Sequence, residues 1–200
     1  MKKQDRRKAR TRQWLYKALL ELMEEKGMEG VTVSELTERA GVNRGTFYLH
    51  FRDPSDMLNQ YKMEVLDGLA QELDRIDPFE LQRYARKNEP YPVSLRVLEY
   101  IDKHADFFRV MFGPKGDISF LMQIKEFMKN KMSDYFSKNF PQTDRALVPR
   151  DYAIAYVVSG NLGLLAYWFE TGRRLPPAEI ARMVTRILSD GPLASIGLKE

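Results

Sequence analysis

The sequence contains no cysteine, and His50 and His104 are its two histidines. The lack of cysteine excludes disulfide bonds, cysteine-based metal sites and thiol nucleophiles. No His/Glu or His/Asp set has the spacing of metal ligands, and no serine stands beside a recognisable general base. We therefore expect a protein that is not an enzyme, with no catalytic residues, no metal site and no bound cofactor.

Sequence patterns typical of β-strands are also lacking, because no run of Val, Ile and Thr alternates strictly with polar residues. Apolar residues recur instead at helical spacing, so we expect an all-α fold. The chain opens with MKKQDRRKAR, which is basic and polar and unlike a secretory signal. We expect a cytoplasmic protein with one core or two closely packed sub-domains.

Positive charge is concentrated at the beginning of the chain. Residues 1–52 hold 12 Lys/Arg and 7 Asp/Glu, whereas residues 53–200 hold 20 and 21. This asymmetry predicts a polyanion-binding head over residues 1–52 and a body with another role over residues 53–200. The most basic part is an N-terminal arm that carries Arg6, Arg7, Lys8, Arg10 and Arg12. A solvated tail without function is the alternative interpretation of that arm.

The head has the pattern of a helix-turn-helix. An amphipathic helix is expected over residues 11–25, and Thr32 and Glu35 have the S/T-x-x-E spacing that begins a second, short helix. Gly41 suits the left-handed conformation that ends it, and Asn43 can cap a third helix over residues 44–50. A short helix after a tight turn fits the major groove of DNA.

The third helix has two different faces. Phe47 and Phe51 are four residues apart and are expected to lie in the core with Leu36. The opposite face offers hydrogen-bonding side chains and an apolar one to DNA: Arg44, Thr46, Tyr48, Leu49 and His50. An ordinary three-helix bundle with a hydrated outer face remains an alternative interpretation of the periodicity alone.

The body is predicted to be helical and rich in aromatic and Met side chains. Helices are expected over residues 55–73, 93–104, 106–111, 118–140, 150–171 and 177–188, with an irregular or partly helical connection over residues 77–92. The 17 residues from Ala153 to Phe169 carry no formal charge. This stretch is buried against a second copy of the chain, buried in the core of one chain, or inserted in a membrane; its length and polar interruptions argue against the membrane.

The run VTVSELTERAGVNRGTFYLHF, from Val31 to Phe51, followed by DML at Asp56–Leu58, resembles the DNA-binding domain of the TetR family of transcriptional regulators. Together with the helix expected over residues 11–25, the pattern covers about 45 residues. The FGPKGD segment at Phe112–Asp117 and the helices around it resemble the ligand-binding domains of that family more loosely. The resemblance implies an all-helical homodimer, usually a repressor, which a small molecule releases from a near-palindromic DNA operator. An activator of the same fold is an alternative, and a non-DNA-binding helical enzyme or adaptor is a more remote one.

Carried over residue by residue, the resemblance implies DNA contacts by Arg44, Gly45, Thr46, Tyr48, Leu49 and His50, with Thr32 at a helix start that faces phosphate. The family commonly has a lysine at the position of Pro54, which offers neither a charge nor an amide hydrogen. We expect the basic arm to replace that attraction along the backbone or in the minor groove.

Met and aromatic side chains make adaptable walls for apolar ligands. The candidates for an effector-binding cavity in the body are Phe108, Met111, Phe127, Tyr156 and Trp168. Solid core packing is the alternative for each of them.

Overall fold

The computed structural model describes residues 3–73, 77–141 and 147–198, and over these residues the chain is helical without a β-strand. The first helices are α1 (Lys3–Lys26), a 3-10 turn (Met28–Gly30), α2 (Val33–Arg39), α3 (Arg44–Tyr48) and α4 (Pro54–Glu72). They are followed by α5 (Pro78–Arg86), α6 (Pro92–Lys103), α7 (Ala105–Phe112), α8 (Ile118–Asn139), α9 (Arg150–Glu170), α10 (Pro177–Asp190) and a short α11 (Pro192–Ser195). The predicted all-α fold class is confirmed.

The caps around the turn form as predicted. The Thr32 hydroxyl accepts a hydrogen bond from the Glu35 amide, and the Glu35 carboxylate accepts one from the Thr32 amide, which completes a capping box at the start of α2. Gly41 has a φ of +64°, where a β-carbon would be strained. The Asn43 side chain accepts a hydrogen bond of 2.9 Å from the Thr46 amide at the start of α3.

The N-terminal helix is longer than predicted. α1 begins at Lys3, whereas the apolar stripe placed its start near residue 11. The basic arm is therefore a helical extension of α1, and its contact with DNA stays a prediction. Along this extension residues 6–10 are exposed, and residue 11 is the first buried position.

Contacts divide the chain into two compact units. Unit 1 comprises residues 1–67 and 105–120, and unit 2 comprises residues 68–104 and 121–200. α7 and the first residues of α8 thus belong to the same unit as the helix-turn-helix, although they lie far from it in sequence. This grouping differs from the sequence boundary between residues 52 and 53, and the functional division at that boundary stays a prediction.

Unit 1 has an apolar core to which every one of its helices contributes. Phe47 from α3 is fully buried, and its ring centre lies 5.7 Å from that of Phe51. The other large side chains of this core are Leu15, Leu19, Met23, Leu36, Met57, Val65, Phe107, Phe108, Met111 and Phe120. Phe47 and Phe51 occupy the core as their spacing predicted, which leaves the opposite face of α3 outside.

In unit 2, α10 packs against α5 and α6. Thr185 of α10 is fully buried, and its hydroxyl accepts a hydrogen bond of 2.8 Å from the Tyr91 amide. The buried Tyr91 in turn accepts a 2.7 Å hydrogen bond from the Asp77 amide through its own hydroxyl. Because these groups satisfy one another, the polar atoms at this position do not oppose burial.

Candidate nucleic-acid interface

The turn between α2 and α3 presents one face of α3 outside the core of unit 1. Arg44, Gly45 and Tyr48 are exposed, and Leu49 at the end of α3 has 82% of its surface exposed. Thr46 and His50 are half-buried. The six candidates predicted on this helix and its end are thus accessible to different degrees, and Leu49 has no apolar cover in the isolated chain.

Arg44 and Tyr48 form a pair on the exposed face of α3. The Arg44 guanidinium donates a hydrogen bond of 3.1 Å to the Tyr48 hydroxyl, and its central carbon lies 5.6 Å from the centre of the Tyr48 ring. Stacking on a ring restricts the long Arg side chain while leaving most of its donors unused. The pair therefore restricts the Arg44 guanidinium while leaving it accessible on the outer face of α3.

Two hydroxyls near the turn already have partners. The Thr46 hydroxyl lies 2.8 Å from the Asn43 side-chain oxygen. The Thr32 hydroxyl lies 2.6 Å from the Glu35 carboxylate, which also pairs with Lys26 at 2.5 Å. At the predicted phosphate-facing start of α2, the hydroxyl hydrogen is therefore directed at a carboxylate within the chain.

His50 lies at the end of the candidate interface in a positive environment. Burial lowers the pKa of His50, and the positive charges of Arg12 and Lys8 lower it further. Its imidazole is therefore neutral at pH 7, with one nitrogen as a donor and the other as an acceptor.

Arg12 has a structural environment that the sequence analysis did not anticipate. Its guanidinium pairs with Glu64 of α4, donates to the Tyr16 hydroxyl at 2.6 Å, and lies 4.8 Å from the centre of the Phe51 ring. These contacts hold Arg12 against α4, so its guanidinium is less accessible than the other basic side chains of the arm, and its predicted DNA contact stays a prediction. No local pattern signals a pair 52 residues apart in sequence.

Pro54 is the first residue of α4, as expected from its preference for a helix start. Two residues earlier, Arg52 has 86% of its side chain exposed while it pairs with Asp56. The sequence analysis missed Arg52 as a cation at this position. It offers positive charge two residues before the start of α4.

The five effector candidates do not share one environment. Phe108 and Met111 are buried in unit 1 on α7. In unit 2, Trp168 is buried and donates a 2.8 Å hydrogen bond to the Leu175 carbonyl, Phe127 is half-buried, and Tyr156 has 64% of its surface exposed. Among the described residues, no group of three His, Cys, Asp or Glu side chains is placed to hold a metal ion.

A short helix with an exposed polar face, held by a capped turn in a basic unit, defines a helix-turn-helix DNA-binding protein. The family model described as "Bacterial regulatory proteins, tetR family" matches residues 15–61. A second model, "Transcriptional regulator C-terminal region", matches residues 88–190. The chain belongs to the TetR family of transcriptional regulators, and its helix-turn-helix is the DNA-binding element of that family.

The chain is also similar to individual proteins. It is 27% identical over 181 residues to the HTH-type transcriptional regulator YxbF of Bacillus subtilis; the match covers 86% of this chain and 43% of that relative, so the chain spans less than half of its length. A TetR transcriptional regulator from Streptococcus agalactiae shares the fold with a TM-score of 0.61, 15% identity and coverage of 92% and 97% of the two chains. FadR from Bacillus subtilis, solved in complex with stearoyl-CoA, has a TM-score of 0.58, 13% identity and coverage of 90% and 98%.

Proposed function

We propose that this chain is a homodimeric transcriptional repressor, that α3 enters the major groove of a near-palindromic operator, and that a small, largely apolar effector releases it. The observation that carries the proposal is the exposed face of α3, where an accessible arginine, tyrosine and leucine lie beside the half-buried imidazole of His50. Leu49 and Tyr48 offer apolar surface to thymine methyl groups, and Arg44 offers the fork of donors that guanine accepts.

The test is selection of DNA duplexes by the purified protein from a random-sequence pool, followed by a reporter gene placed behind the selected site. We expect a near-palindrome whose half-sites are centred about one helical turn, ~34 Å, or somewhat more apart. Reporter expression should fall when the protein is supplied. A rise would identify an activator, and failure to enrich any duplex over the starting pool would overturn DNA recognition.

The dimer proposal is supported by one face of α9. Tyr152, Tyr156 and Tyr167 are exposed along this face, and between them lie small residues: Ser159, Gly160 and Gly163. A β-carbon placed on either glycine would have no atom within 4 Å. Small residues flanked by aromatic ones allow a second helix to approach closely and bury the rings.

α9 is also long and apolar enough to cross a membrane by length and composition alone, with 22% of its most apolar window buried. We propose that a second copy of the chain covers this helix and that the protein is cytoplasmic. Tyr152, Tyr156 and Tyr167 support this, because a ring with a polar hydroxyl suits a protein interface.

For the effector, Phe127 and Trp168 of unit 2 stay the proposed wall residues. Phe108 and Met111 are core residues of unit 1, and the exposure of Tyr156 fits the dimer face better. Titration of a compound that releases the selected duplex should be done with and without that duplex. A hundredfold loss of duplex affinity requires a coupling free energy of ~2.7 kcal/mol between the two sites. The bound duplex must then lower the affinity for the compound by the same factor. Equal affinities would show that the bound compound is not the signal.

A further inference from the structure

The loop between α7 and α8, residues 113–117, is folded tightly against the end of α7. A β-carbon on Gly116 would lie 2.1 Å from the carbonyl oxygen of Met111, so no larger residue fits at this position without a shift of the backbone. This loop lies within the FGPKGD segment, Phe112–Asp117. The two charged residues of the segment, Lys115 and Asp117, both contact helices of unit 1.

Asp117 uses its two carboxylate oxygens for different partners. One accepts hydrogen bonds from the Ser119 amide at 2.9 Å, the Ser119 hydroxyl at 2.6 Å and the Phe120 amide at 3.3 Å, and so caps α8. The other pairs with the ammonium of Lys62 in the middle of α4. Burial alone would raise the pKa of Asp117, but the hydrogen bonds from Lys62 and Ser119 hold it below its ordinary value.

Lys62 is one of the few charged groups buried in unit 1. It is 5% exposed, and its ammonium lies 5.9 Å from the centre of the Phe120 ring. A buried ion pair is weak grounds for stability, because an apolar pair of similar volume is often as stable or more so. The ion pair does form a directional link between α4 and the loop.

Lys115 links the same loop to the other long helix of the unit. Its ammonium donates to the carbonyl oxygens of Glu24 at 3.3 Å and Glu25 at 2.5 Å, in the last turn of α1. Arg109 of α7 pairs with the side chain of Glu24. A cation at this end of a helix satisfies carbonyls that have no partner within the helix.

We propose that Lys62, Asp117 and Lys115 are positioning residues for operator recognition. α2 and α3 lie in the chain between the end of α1 and the start of α4. The loop over residues 113–117 contacts both α1 and α4. By fixing α1 through Lys115 and α4 through Lys62, the loop fixes the supports of the recognition helix at both ends. The inference rests on the proposed function, since it assigns these residues to the same DNA-binding activity.

The experiment compares wild type with K62M, D117N and K62M/D117N. Asn keeps an oxygen that caps α8 but loses the charge that pairs with Lys62, so D117N leaves a buried, unpartnered ammonium and should be the least stable variant. The double variant removes both charges and should recover stability, while K62R keeps the ion pair. K129M is the matched control, because Lys129 forms an ion pair with Glu126 on an exposed part of α8.

The readout is the ratio of affinities for the duplex that wild type selects and for a scrambled duplex of equal length, measured where all variants are folded. We expect about a tenfold lower ratio in K62M/D117N and no change in K62R or K129M. The salt dependence of binding should be unchanged, because a buried Lys62 contacts no phosphate.

If the folded double variant has the same ratio of selected to scrambled duplex affinity as wild type, the positioning role is overturned and the proposed function is left intact. A reduced salt slope would also overturn it, because Lys62 would then act on DNA directly. Failure of the wild-type protein to select any duplex would instead overturn the proposed function, and the positioning role with it.

Discussion

At the residue scale, the most informative side chain is Arg44, because it is exposed and yet held in place by Tyr48. Replacing Arg44 by Ala should leave the fold intact, since no buried group depends on its guanidinium. If Arg44 reads a base edge, the selected duplex should lose ~1–3 kcal/mol of binding free energy, and specificity should relax at one base position of each half-site. Fluorescence anisotropy with the selected duplex and its single-base variants measures both effects.

Arg83 provides a matched control for this substitution. It also lies 5.6 Å from a tyrosine ring, that of Tyr84, and donates to Glu80 within its own helix. Arg83→Ala removes the same charge and the same kind of stacking from unit 2, and should leave duplex affinity unchanged. Equal losses in the two variants would mean that Arg44 contributes only net charge.

The lowered pKa of Glu35 predicts that the stability of the fold depends on pH. Hydrogen bonds from Lys26 and Thr32 lower its pKa from the ordinary 4.5 to about 2. A depressed pKa means that the stabilisation is present above pH 4.5 and is lost as the pH falls towards 2. The urea midpoint of unfolding at pH 7 should therefore be higher for wild type than for Glu35→Gln. The difference between the two midpoints should shrink below pH 4.5.

Glu38, an exposed residue of the same helix, provides the control, because Glu38→Gln removes one carboxylate outside the capping box. Urea unfolding of the three proteins at several pH values measures the differences. A difference between wild type and Glu35→Gln that stays constant down to pH 2.5 would contradict the assignment of the low pKa to this residue.

The residues whose structural roles were predicted correctly from the sequence interact with residues close to them in the chain. Thr32, Asn43 and Gly41 were placed because caps and left-handed turns depend on residues three or four positions away. The ion pairs of Arg12 and Lys62 could not be predicted, because their partners, Glu64 and Asp117, lie about fifty residues further along the chain. A local pattern carries no signal for such pairs, which form only after the helices have packed.

At the element scale, α1 shows how an apolar stripe underestimates a helix. Its first buried apolar residue is Leu15, and the residues before it have no apolar periodicity that marks a helix. They are nevertheless mostly Lys, Arg, Gln and Ala, which are good helix formers. The extension is therefore helical by propensity and exposes basic side chains on successive turns.

This geometry changes the expectation for the arm. A helix cannot follow the minor groove as an extended segment does, so we expect Arg6 and Arg10, one turn apart, to contact phosphates. Arg10 lies 4.9 Å from the centre of the exposed Trp14 ring, which limits its freedom. Replacing both arginines by Gln should weaken binding to all duplexes alike and reduce the slope of log affinity against log salt by roughly 2.

The control for the arm is the double substitution of Arg86 and Lys87 by Gln, which removes two exposed positive charges from the end of α5 in unit 2. It has the same effect on net charge and should leave the salt slope unchanged. A slope that responds equally to both double variants would indicate a general field effect, and an unchanged slope in the arm variant would make the arm a solvated helix without a role in binding.

At the scale of the whole molecule, each compact unit is formed from two separate stretches of the chain. The charge asymmetry placed the head within residues 1–52, but unit 1 also takes in most of α4, all of α7 and the first turn of α8. Charge and periodicity show where a helix lies and which side is apolar. They do not show which distant helix covers it, because complementary packing of two surfaces has no local pattern.

Quaternary structure provides the sharpest prediction at this scale. Gly160→Leu should be tolerated by the single chain, because the space around a β-carbon at Gly160 is open and leucine is a better helix former than glycine by about 1 kcal/mol. In a dimer packed through α9 the same side chain would separate two closely approaching helices. Sedimentation at micromolar concentration should therefore give a dimer for wild type and a monomer for the variant, with equal or greater helix content.

Asn130→Leu places the same side chain at an exposed position of α8 and serves as the control, because it should leave the dimer intact. A near-palindromic duplex must engage two recognition helices at once, so the Gly160→Leu monomer should also lose most of its affinity for that duplex while it keeps its affinity for a single half-site. A Gly160→Leu protein that stays dimeric would show that the α9 face is not the interface. One that becomes monomeric yet binds the full site as tightly would show that dimerisation is separate from recognition.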